Sequence, residues 1–455
     1  MTRDIRHRLS RALDRGELRS AGNSLSPAMR ERLERALYPA ADPGDGGTPL
    51  PRVYTAARLA GEIAADRPTP YGGTFRGREI ENERGRIQQF RWRVPLAALE
   101  PVQDLEVPAG SAGVLAALLE NPDLADFTLK RALFLDTETT GLAGGTGTYV
   151  FLLGLGWIER GDFVVEQLFL RDFEDEGALL YRAGELAERF EVLVSFNGRR
   201  YDLPLLDTRT VLNRLPPGFG TRPHLDLLQP ARLLYSGTFE NCRLQTLERE
   251  LLGQHREGDV PGEEIPRLYF AYLTGGDPLP LTGVFEHNFL DVVTLLTLTA
   301  HFLHLCCRPE LDPRALAGLG RLHGRRGDRE TALTLLEEAR SRRAASYRDL
   351  RDLGLLYKRT GEYSKALEVW KSLIARQERV SAELGFDATP YVEAAKHYEH
   401  RNRDFTRALE MTTAALTQAD ATGNGHVPST RLRRELDHRA ARLRRFLEKE
   451  SSGRG

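Results

Sequence analysis

Three consecutive strand-like segments limit the folds that this chain can adopt more than any other feature. They are ALFLDTE (132–138), TYVFLLGLGWIE (148–159) and GDFVVEQLFLRDF (161–173). Each is rich in the apolar, aromatic and β-branched residues typical of strands. Helical spacing then alternates with further strand-like segments, at residues 176–190, 191–198, 203–215, 224–228 and 241–253. This order predicts an α/β domain over residues 126–308, with a mixed sheet flanked by helices.

The rest of the chain has a different periodicity. Residues 309–455 are helical in pattern, and three segments align on Ala332, Ala366 and Ala408. The first two alanines are 34 residues apart, which is the tetratricopeptide period, and an insertion precedes the third. We therefore expect an all-α, tetratricopeptide-like repeat domain with a basic tail; an ordinary helical bundle is the alternative. Residues 1–125 form an N-terminal region that is partly linker, and the sequence assigns it no function.

Composition indicates an ordinary soluble globular protein, with 41% hydrophobic and 28% charged residues and a net charge of -1. The two ends are nevertheless locally basic: residues 1–40 carry nine Arg against five acidic residues, and residues 431–455 carry nine Arg or Lys against four. Such ends suit a phosphate-rich partner, although a solvated helical face explains them equally well.

The cysteines and the N-terminus bear on localisation. Cys242, Cys306 and Cys307 form no CxxC pair, and no signal peptide is visible, so we expect a cytoplasmic protein. The apolar stretch 290–307 approaches the length of a membrane span. Its polar residues include Asp291 and His301, which favours a buried core helix and no membrane partner.

Two carboxylates, Asp136 and Glu138, interrupt the end of the first strand-like segment. Side chains alternate in a strand, so both point to the same face. Neighbouring buried carboxylates repel each other and are costly to desolvate, and a divalent cation removes both penalties. The pair is therefore half of a candidate metal site; a solvent-facing strand end is the competing interpretation.

Three more residues extend this candidate site. Asp202 follows the segment SFNGRRY and precedes a predicted helix, and the competing interpretation is that it is the N-cap of that helix. His287 and Asp291 are four residues apart and thus share one helix face, which also suits a local surface pair.

The order Asp-x-Glu, then FNGxxYAsp, then HisxxxAsp resembles the DEDD exonucleases of the ribonuclease H-like superfamily. The amino-acid sequence of these segments is most similar to the YprB-type group, over about residues 130–305. The resemblance implies a 3′–5′ exonuclease acting on single-stranded nucleic acid, DNA or RNA. It also implies two divalent cations, Mg²⁺ or Mn²⁺, held by Asp136, Glu138, Asp202 and Asp291, with His287 as general base. Histidine-type members usually have four residues between His and Asp, whereas this chain has the three of tyrosine-type members.

Residues around these motifs are candidates for nucleic-acid contacts: Thr139, Gly144, Gly145, Asn197, Arg199 and Tyr201. The glycine-rich segment 141–148 suits a tight hairpin turn, or exposed N–H groups near a phosphate. Asp226 is expected to be structural. The helical repeats suggest docking of a protein partner. The alternative function is an inactive ribonuclease H-like module that binds nucleic acid and carries a repeat scaffold.

Overall fold

The structure is a computed structural model that describes residues 52–53, 69–71, 74–99, 107–141, 146–256, 258–309, 312–384, 386–421 and 430–452. These residues divide into two compact units. The first unit comprises the described residues up to Ala231 together with Asn241–Arg308. The second unit comprises Arg232–Glu240 and the described residues from Pro309 onward.

The first unit contains the strands. In chain order the described strands are β1 (Arg52–Val53), β2 (Thr69–Tyr71), β3 (Thr74–Arg76), β4 (Arg78–Asn82), β5 (Gly85–Pro95), β6 (Ala132–Thr139), β7 (Val150–Glu159), β8 (Asp162–Phe169), β9 (Val192–Ser195), β10 (His224–Asp226) and β11 (Gln254–His255). Seven of them form one mixed sheet in the order β10-β9-β6-β7-β8-β5-β4. β6 runs parallel to β9, and β9 to β10, whereas the remaining neighbours are antiparallel. The predicted mixed sheet is therefore confirmed.

The sheet also extends upstream of residue 126, where the sequence pattern placed a boundary. β5 pairs with β8 along eight residues, and β4 then pairs with β5. Buried side chains join these strands to the rest of the unit, as in the bond from Trp92 Nε1 to Gln167 Oε1 at 2.8 Å. Polar and charged residues alternate with apolar ones in β5, so the segment lacks the continuous apolar run by which β6 and β7 are recognised.

Helices cover the sheet of the first unit. They are α1 (Ser111–Leu119), α2 (Glu176–Glu188), α3 (Asp202–Leu212), α4 (Leu228–Tyr235, which continues into the second unit), α5 (Leu244–Leu247), α6 (Ile265–Leu273) and α7 (Thr282–Cys307). Among the described residues, one stretch, Leu279–Cys307, has the length and apolar composition of a membrane span, with a mean hydropathy of 1.6. Because 72% of the 18-residue window of this stretch is buried within the protein, the stretch also fits a core helix.

Two glycines in β7 allow α7 to lie close to the sheet. A Cβ at Gly154 would overlap Asn288 Oδ1 and would lie 2.8 Å from Val292 Cγ2. A Cβ at Gly156 would lie 2.6 Å from Val292 Cγ1. The alternate glycines of LLGLGW therefore set the distance between the sheet and the helix that carries His287 and Asp291.

The second unit is helical, as predicted for the C-terminal region. Its helices are α8 (Pro313–Arg325), α9 (Arg329–Ser341), α10 (Tyr347–Thr360), α11 (Tyr363–Leu384), α12 (Thr389–His397), α13 (Phe405–Ala421) and α14 (Thr430–Ser452). The aligned alanines Ala332, Ala366 and Ala408 are all buried.

Close contacts in the second unit recur at the predicted repeat spacing. A Cβ at Gly320 would lie 2.8 Å from Leu336 Cγ, and a Cβ at Gly354 would lie 2.6 Å from Trp370 Cη2. Both members of the second pair lie 34 residues after those of the first. The same helix-to-helix approach is thus built twice at one period.

A short segment from within the predicted α/β domain belongs to the second unit instead. In Arg232–Glu240, the Tyr235 hydroxyl donates to Asp312 Oδ2 at 3.0 Å. Arg314 lies over the ring of Phe239, 5.1 Å from its centroid. Such contacts join residues far apart in the chain, so the sequence pattern did not reveal them.

Candidate active site

The end of β6 carries the two carboxylates that interrupt its apolar run. Asp136 lies opposite Gly154 of β7, and Glu138 lies opposite Leu152. The strand register shifts just after Glu138. Strand alternation directs both carboxylates to one face of the sheet, and both are largely buried.

Helix α7 brings its polar residues to these carboxylates. Asn288 Nδ2 donates to Asp136 Oδ2 at 2.9 Å and to the Asp136 backbone carbonyl at 3.2 Å. His287 Nε2 lies 3.9 Å from Glu138 Oε1 and 3.6 Å from Asp291 Oδ2. The pair one turn apart on α7 therefore lies inside the acidic cluster, rather than forming a local pair on an exposed surface.

Asp202 reaches the cluster from the first residue of α3. The Thr137 hydroxyl, between the two β6 carboxylates, donates to Asp202 Oδ1. The N-cap residue of α3 is Tyr201, and no side-chain capping bond is present there. The structure thus favours the cluster interpretation of Asp202 over the helix-cap interpretation.

The Asn-Gly turn before Asp202 needs both of its residues. Asn197 has a φ of 64°, in the left-handed region that Asn tolerates better than most residues. A Cβ at Gly198 would overlap Ser195 Oγ and would lie 3.1 Å from Asp202 Oδ2. Asp226 holds this turn by accepting from the backbone N–H of Asn197 at 2.7 Å. It is therefore structural, as expected, although its charge also acts on Asp202.

The crowding of acidic groups shifts their pKa values upward. Burial, and then the charges of Asp291 and Glu138, raise the pKa of Asp136 well above its usual range. Burial is also the main cause that raises the pKa of Glu138 to about 8 and that of Asp202 to about 6. Repulsion from Asp291 adds to both shifts. The positively charged groups of the protein thus balance the negative charge of these carboxylates only in part.

The histidine responds in the opposite sense. Burial by itself lowers the pKa of His287, but Asp291, the hydrogen bond to Asp259 and Glu138 together raise it to about 10. His287 Nδ1 donates to Asp259 Oδ1 at 2.7 Å, which turns Nε2 toward Glu138 and Asp291. Asp259 therefore fixes the orientation of the imidazole.

Sequence reasoning missed the loop that holds Asp259 and Arg256. The Arg256 guanidinium is buried, with its Nη2 2.5 Å from Asp291 Oδ1 and its Nε 2.8 Å from Glu248 Oε2. Its Nη1 lies 3.3 Å from Asp259 Oδ2. The irregular segment GQHREGDVPG has no periodicity that would indicate these contacts. Asn288 and Thr137 were also missed, although each directly adjoins a residue that was singled out.

The donor set fits hard divalent cations. Four carboxylates from β6, α3 and α7 would supply oxygen ligands, and the raised pKa values of Asp136, Glu138 and Asp202 mark negative charge that a cation would compensate. In the described part of the chain, no three His, Cys, Asp or Glu side chains are already grouped as ligands of one ion. Protein donors hold one oxygen of Asp136, of Asp202 and of Asp291 instead.

The other candidates for nucleic-acid contacts lie at varied places. Gly144 and Gly145 fall outside the described residues. The flanking backbone forms a hairpin, in which Thr140 N donates to Tyr149 O at 3.0 Å. The Thr139 hydroxyl donates to the carbonyl of Gly141. Arg199 is exposed and Tyr201 is 54% exposed, both on the turn that leads to Asp202.

Comparisons with known proteins agree with the fold. The sequence model of RNase_H_2, a family of the RNase H superfamily, matches residues 133–303. This range includes the four candidate carboxylates and His287. The first unit thus contains a ribonuclease H-like domain. The protein YprB of Bacillus subtilis (strain 168) is 33% identical over 318 residues, which cover 66% of this chain and 74% of YprB. The chain therefore belongs to the YprB family.

A solved structure was also matched, the family B DNA polymerase from the hyperthermophilic archaeon Pyrobaculum calidifontis. The identity is 15% and the TM-score is 0.28. The match covers 50% of this chain and 28% of the polymerase.

Proposed function

We propose that this protein is a metal-dependent nuclease, and specifically a 3′–5′ exonuclease that acts on single-stranded ends. One observation carries the proposal. Asp136, Glu138, Asp202 and Asp291 come from three separate elements and meet beside His287. A protein that only bound nucleic acid would gain nothing from four crowded carboxylates, because they repel phosphate.

The four carboxylates would hold two divalent cations, Mg²⁺ or Mn²⁺. Such cations lower the pKa of a water molecule and stabilise the leaving oxygen of a phosphodiester. His287 Nε2 takes the proton of the attacking water, since Nδ1 is committed to Asp259. Asp291 and Glu138 are two causes of the raised His287 pKa, so a cation that balanced their charge would bring the imidazole nearer to a base that works at neutral pH.

The surroundings of the site suit a nucleic acid strand. Arg199 and Tyr201 are exposed on the turn that leads to Asp202, where a guanidinium can contact phosphate and a ring can stack on a base. Thr139 and Asn197 flank the same cluster along the chain. We propose that the helical unit is a tetratricopeptide-like scaffold that docks a protein partner, and that the protein works in the cytoplasm.

The test uses the full-length protein and oligonucleotides of DNA and of RNA, single- and double-stranded, labelled at either end. In Mg²⁺ or Mn²⁺, a 3′–5′ exonuclease produces a descending ladder from a 5′-labelled strand and releases a labelled mononucleotide at once from a 3′-labelled strand. EDTA and Asp136→Asn should abolish turnover. Asp126→Asn, a change of the same kind at an exposed carboxylate of the same unit, should leave it intact.

Each other outcome selects a different function. Internal cuts in both labelled strands would make the protein an endonuclease. Oligonucleotide binding without any cleavage in either metal would favour the inactive binding module and overturn the nuclease proposal.

A further inference from the structure

Each of the three aspartates in the cluster has one oxygen held by a different protein donor. Asn288 Nδ2 donates to Asp136 Oδ2 at 2.9 Å. The Thr137 hydroxyl donates to Asp202 Oδ1. The Arg256 guanidinium lies 2.5 Å from Asp291 Oδ1. Each donor thereby fixes the direction of one carboxylate, and the second oxygen of Asp291, Oδ2, lies 3.6 Å from His287 Nε2.

The orientation of the Asn288 amide is set by a chain of buried bonds. Asn288 and Gln167 are fully buried, and Trp92 almost so. An indole N–H can only donate, so the group of Gln167 that faces Trp92 Nε1 must be Oε1. Gln167 Nε2 then donates to Asn288 Oδ1 at 2.9 Å, which leaves Nδ2 of Asn288 to face Asp136. One tryptophan thus fixes two amides and, through them, a carboxylate.

The Arg256 guanidinium is also fixed by buried hydrogen bonds. Its side chain is 6% exposed, and its Nε and Nη2 form a fork on the buried Glu248. Glu248 also accepts from the hydroxyl of Thr294 on α7. A guanidinium anchored by a second carboxylate cannot follow Asp291 freely, so it defines where the Asp291 oxygens lie.

We propose that Asn288, Thr137 and Arg256 are positioning residues that hold Asp136, Asp202 and Asp291 in the orientations in which they would bind the cations. This inference rests on the proposed function. Fixing the carboxylates in advance would remove the cost of ordering them when a cation binds.

The test measures Mn²⁺ affinity by titration calorimetry in the absence of nucleic acid, together with the melting temperature in EDTA. Thr137→Val and Asn288→Leu remove the donors at nearly constant volume. Each should weaken Mn²⁺ binding by about 10- to 100-fold. Thr137→Ser restores the hydroxyl and should recover most of the affinity.

Arg256 needs a different substitution, because removing its charge would by itself favour a cation. Arg256→Lys keeps the charge and removes both the fork on Glu248 and the guanidinium bond to Asp291. We expect weaker Mn²⁺ binding, at the low end of the same range of about 10- to 100-fold. Tighter binding would show that Arg256 only competes with the cation and would overturn its positioning role.

Thr210→Val is the matched control. Thr210 is a buried threonine on α3, and its hydroxyl donates to the Leu206 carbonyl rather than to a carboxylate. This variant should lose some melting temperature and keep the wild-type Mn²⁺ affinity. If Asn288→Leu fails to fold, Trp92→Phe tests the same bond chain from its far end. It should weaken Mn²⁺ binding several-fold, toward the lower limit of about 10-fold seen for outer ligand partners.

The outcomes separate this inference from the proposed function. If the wild-type protein binds no Mn²⁺, the metal-dependent nuclease itself is wrong. A second result would contradict only the positioning inference. In that result the wild type binds Mn²⁺ and Asp136→Asn does not, but Thr137→Val and the folded Asn288 or Trp92 variant bind Mn²⁺ like the wild type. Support requires weaker Mn²⁺ binding whose effect on turnover is recovered by excess Mn²⁺, which loss of stability alone would not produce.

Discussion

Buried carboxylates of the helical unit have the opposite electrostatic environment from those of the acidic cluster in the α/β unit. In the helical unit, Glu399 accepts from Arg439 Nη1 and from Arg442 Nη2, both at 2.8 Å. Burial by itself raises the pKa of Glu399, but Arg442 and its neighbours lower it overall. Glu393 is likewise bonded to Lys358 and Lys396 and has a lowered pKa despite its burial.

In the α/β unit, the acidic cluster is left with too little positive charge. The pKa values of Asp136, Glu138 and Asp202 are raised by burial and by mutual repulsion. Paired buried carboxylates fit a role in holding helices together, whereas crowded carboxylates cost folding free energy and persist where they serve function. The contrast predicts that equivalent mutations will affect chemistry at the acidic cluster and stability at the paired carboxylates of the helical unit.

The largest effect is expected from removing one charge of the cluster. Asp136→Asn keeps the shape of the side chain and its bond with Asn288 but removes a carboxylate ligand. Nuclease turnover in Mg²⁺ should fall by orders of magnitude, while the metal-free melting temperature stays the same or rises because repulsion is relieved. The rise in melting temperature on adding Mg²⁺ should shrink.

Glu399→Gln is the companion substitution in the helical unit. It should lower the free energy of unfolding by about 1–3 kcal/mol, because two arginines lose their anion. Its turnover on short oligonucleotides should match the wild type at temperatures where it is folded. Full activity of Asp136→Asn, or unchanged stability of Glu399→Gln, would break the contrast between the units.

A smaller effect on turnover is expected at His287. His287→Ala should slow cleavage by about 10² to 10⁴-fold, the usual contribution of a general base. Mn²⁺ affinity should change little, because the four carboxylates remain. Single-turnover rates together with Mn²⁺ titrations would measure both quantities. A wild-type rate would assign proton removal to another group, and lost Mn²⁺ binding would make the histidine a ligand.

Two glycine substitutions compare the units at the level of packing. Gly154→Ala pushes on Asn288 and Val292, and Gly354→Ala pushes on Trp370. Each should cost about 1–3 kcal/mol of unfolding free energy through overpacking. Only Gly154→Ala should also weaken Mn²⁺ binding, since it displaces the helix that carries Asn288 and Asp291. Equal Mn²⁺ affinity in both variants would mean that the close approach of α7 does not control the cluster.

The sequence revealed those parts of the site that depend on regular geometry. Strand alternation placed Asp136 and Glu138 on one face, and helical periodicity placed His287 beside Asp291, both as the structure has them. The sheet and the helical C-terminal region followed from the same periodicities. Arg256 and Asp259 could not be foreseen, because an irregular loop has no period that indicates where its side chains point.

Other features depended on contacts between distant residues. The bond of Trp92 to Gln167 joins positions 75 residues apart, and it orients an amide on yet another element. The roles of Gly154 and Gly156 appear only once α7 lies against β7, because a glycine in a strand can equally mark a bulge. Such couplings are set by tertiary packing and leave no local signal.

The smallest effect, and the one that separates the units by its sign, is on pH-dependent stability. In metal-free protein the folded state raises the pKa of Glu138 from 4.5 to about 8 and that of Asp202 from 3.8 to about 6. The folded state therefore retains protons that the unfolded chain releases, so this stability is present at low pH and lost as pH rises. His287, raised from 6.5 to about 10, acts in the same direction at higher pH.

Glu399 has a lowered pKa, so its contribution is instead lost as pH falls. Calorimetry in EDTA should show the α/β unit melting at a lower temperature at pH 8 than at pH 5.5. Mg²⁺ should reverse the loss at pH 8, because the cation takes over the charge that the protons had compensated. Glu138→Gln removes one of the titrating groups and should flatten the slope. An α/β unit that melts at a higher temperature at pH 8 than at pH 5.5 without metal would show that its carboxylates are compensated like those of the helical unit.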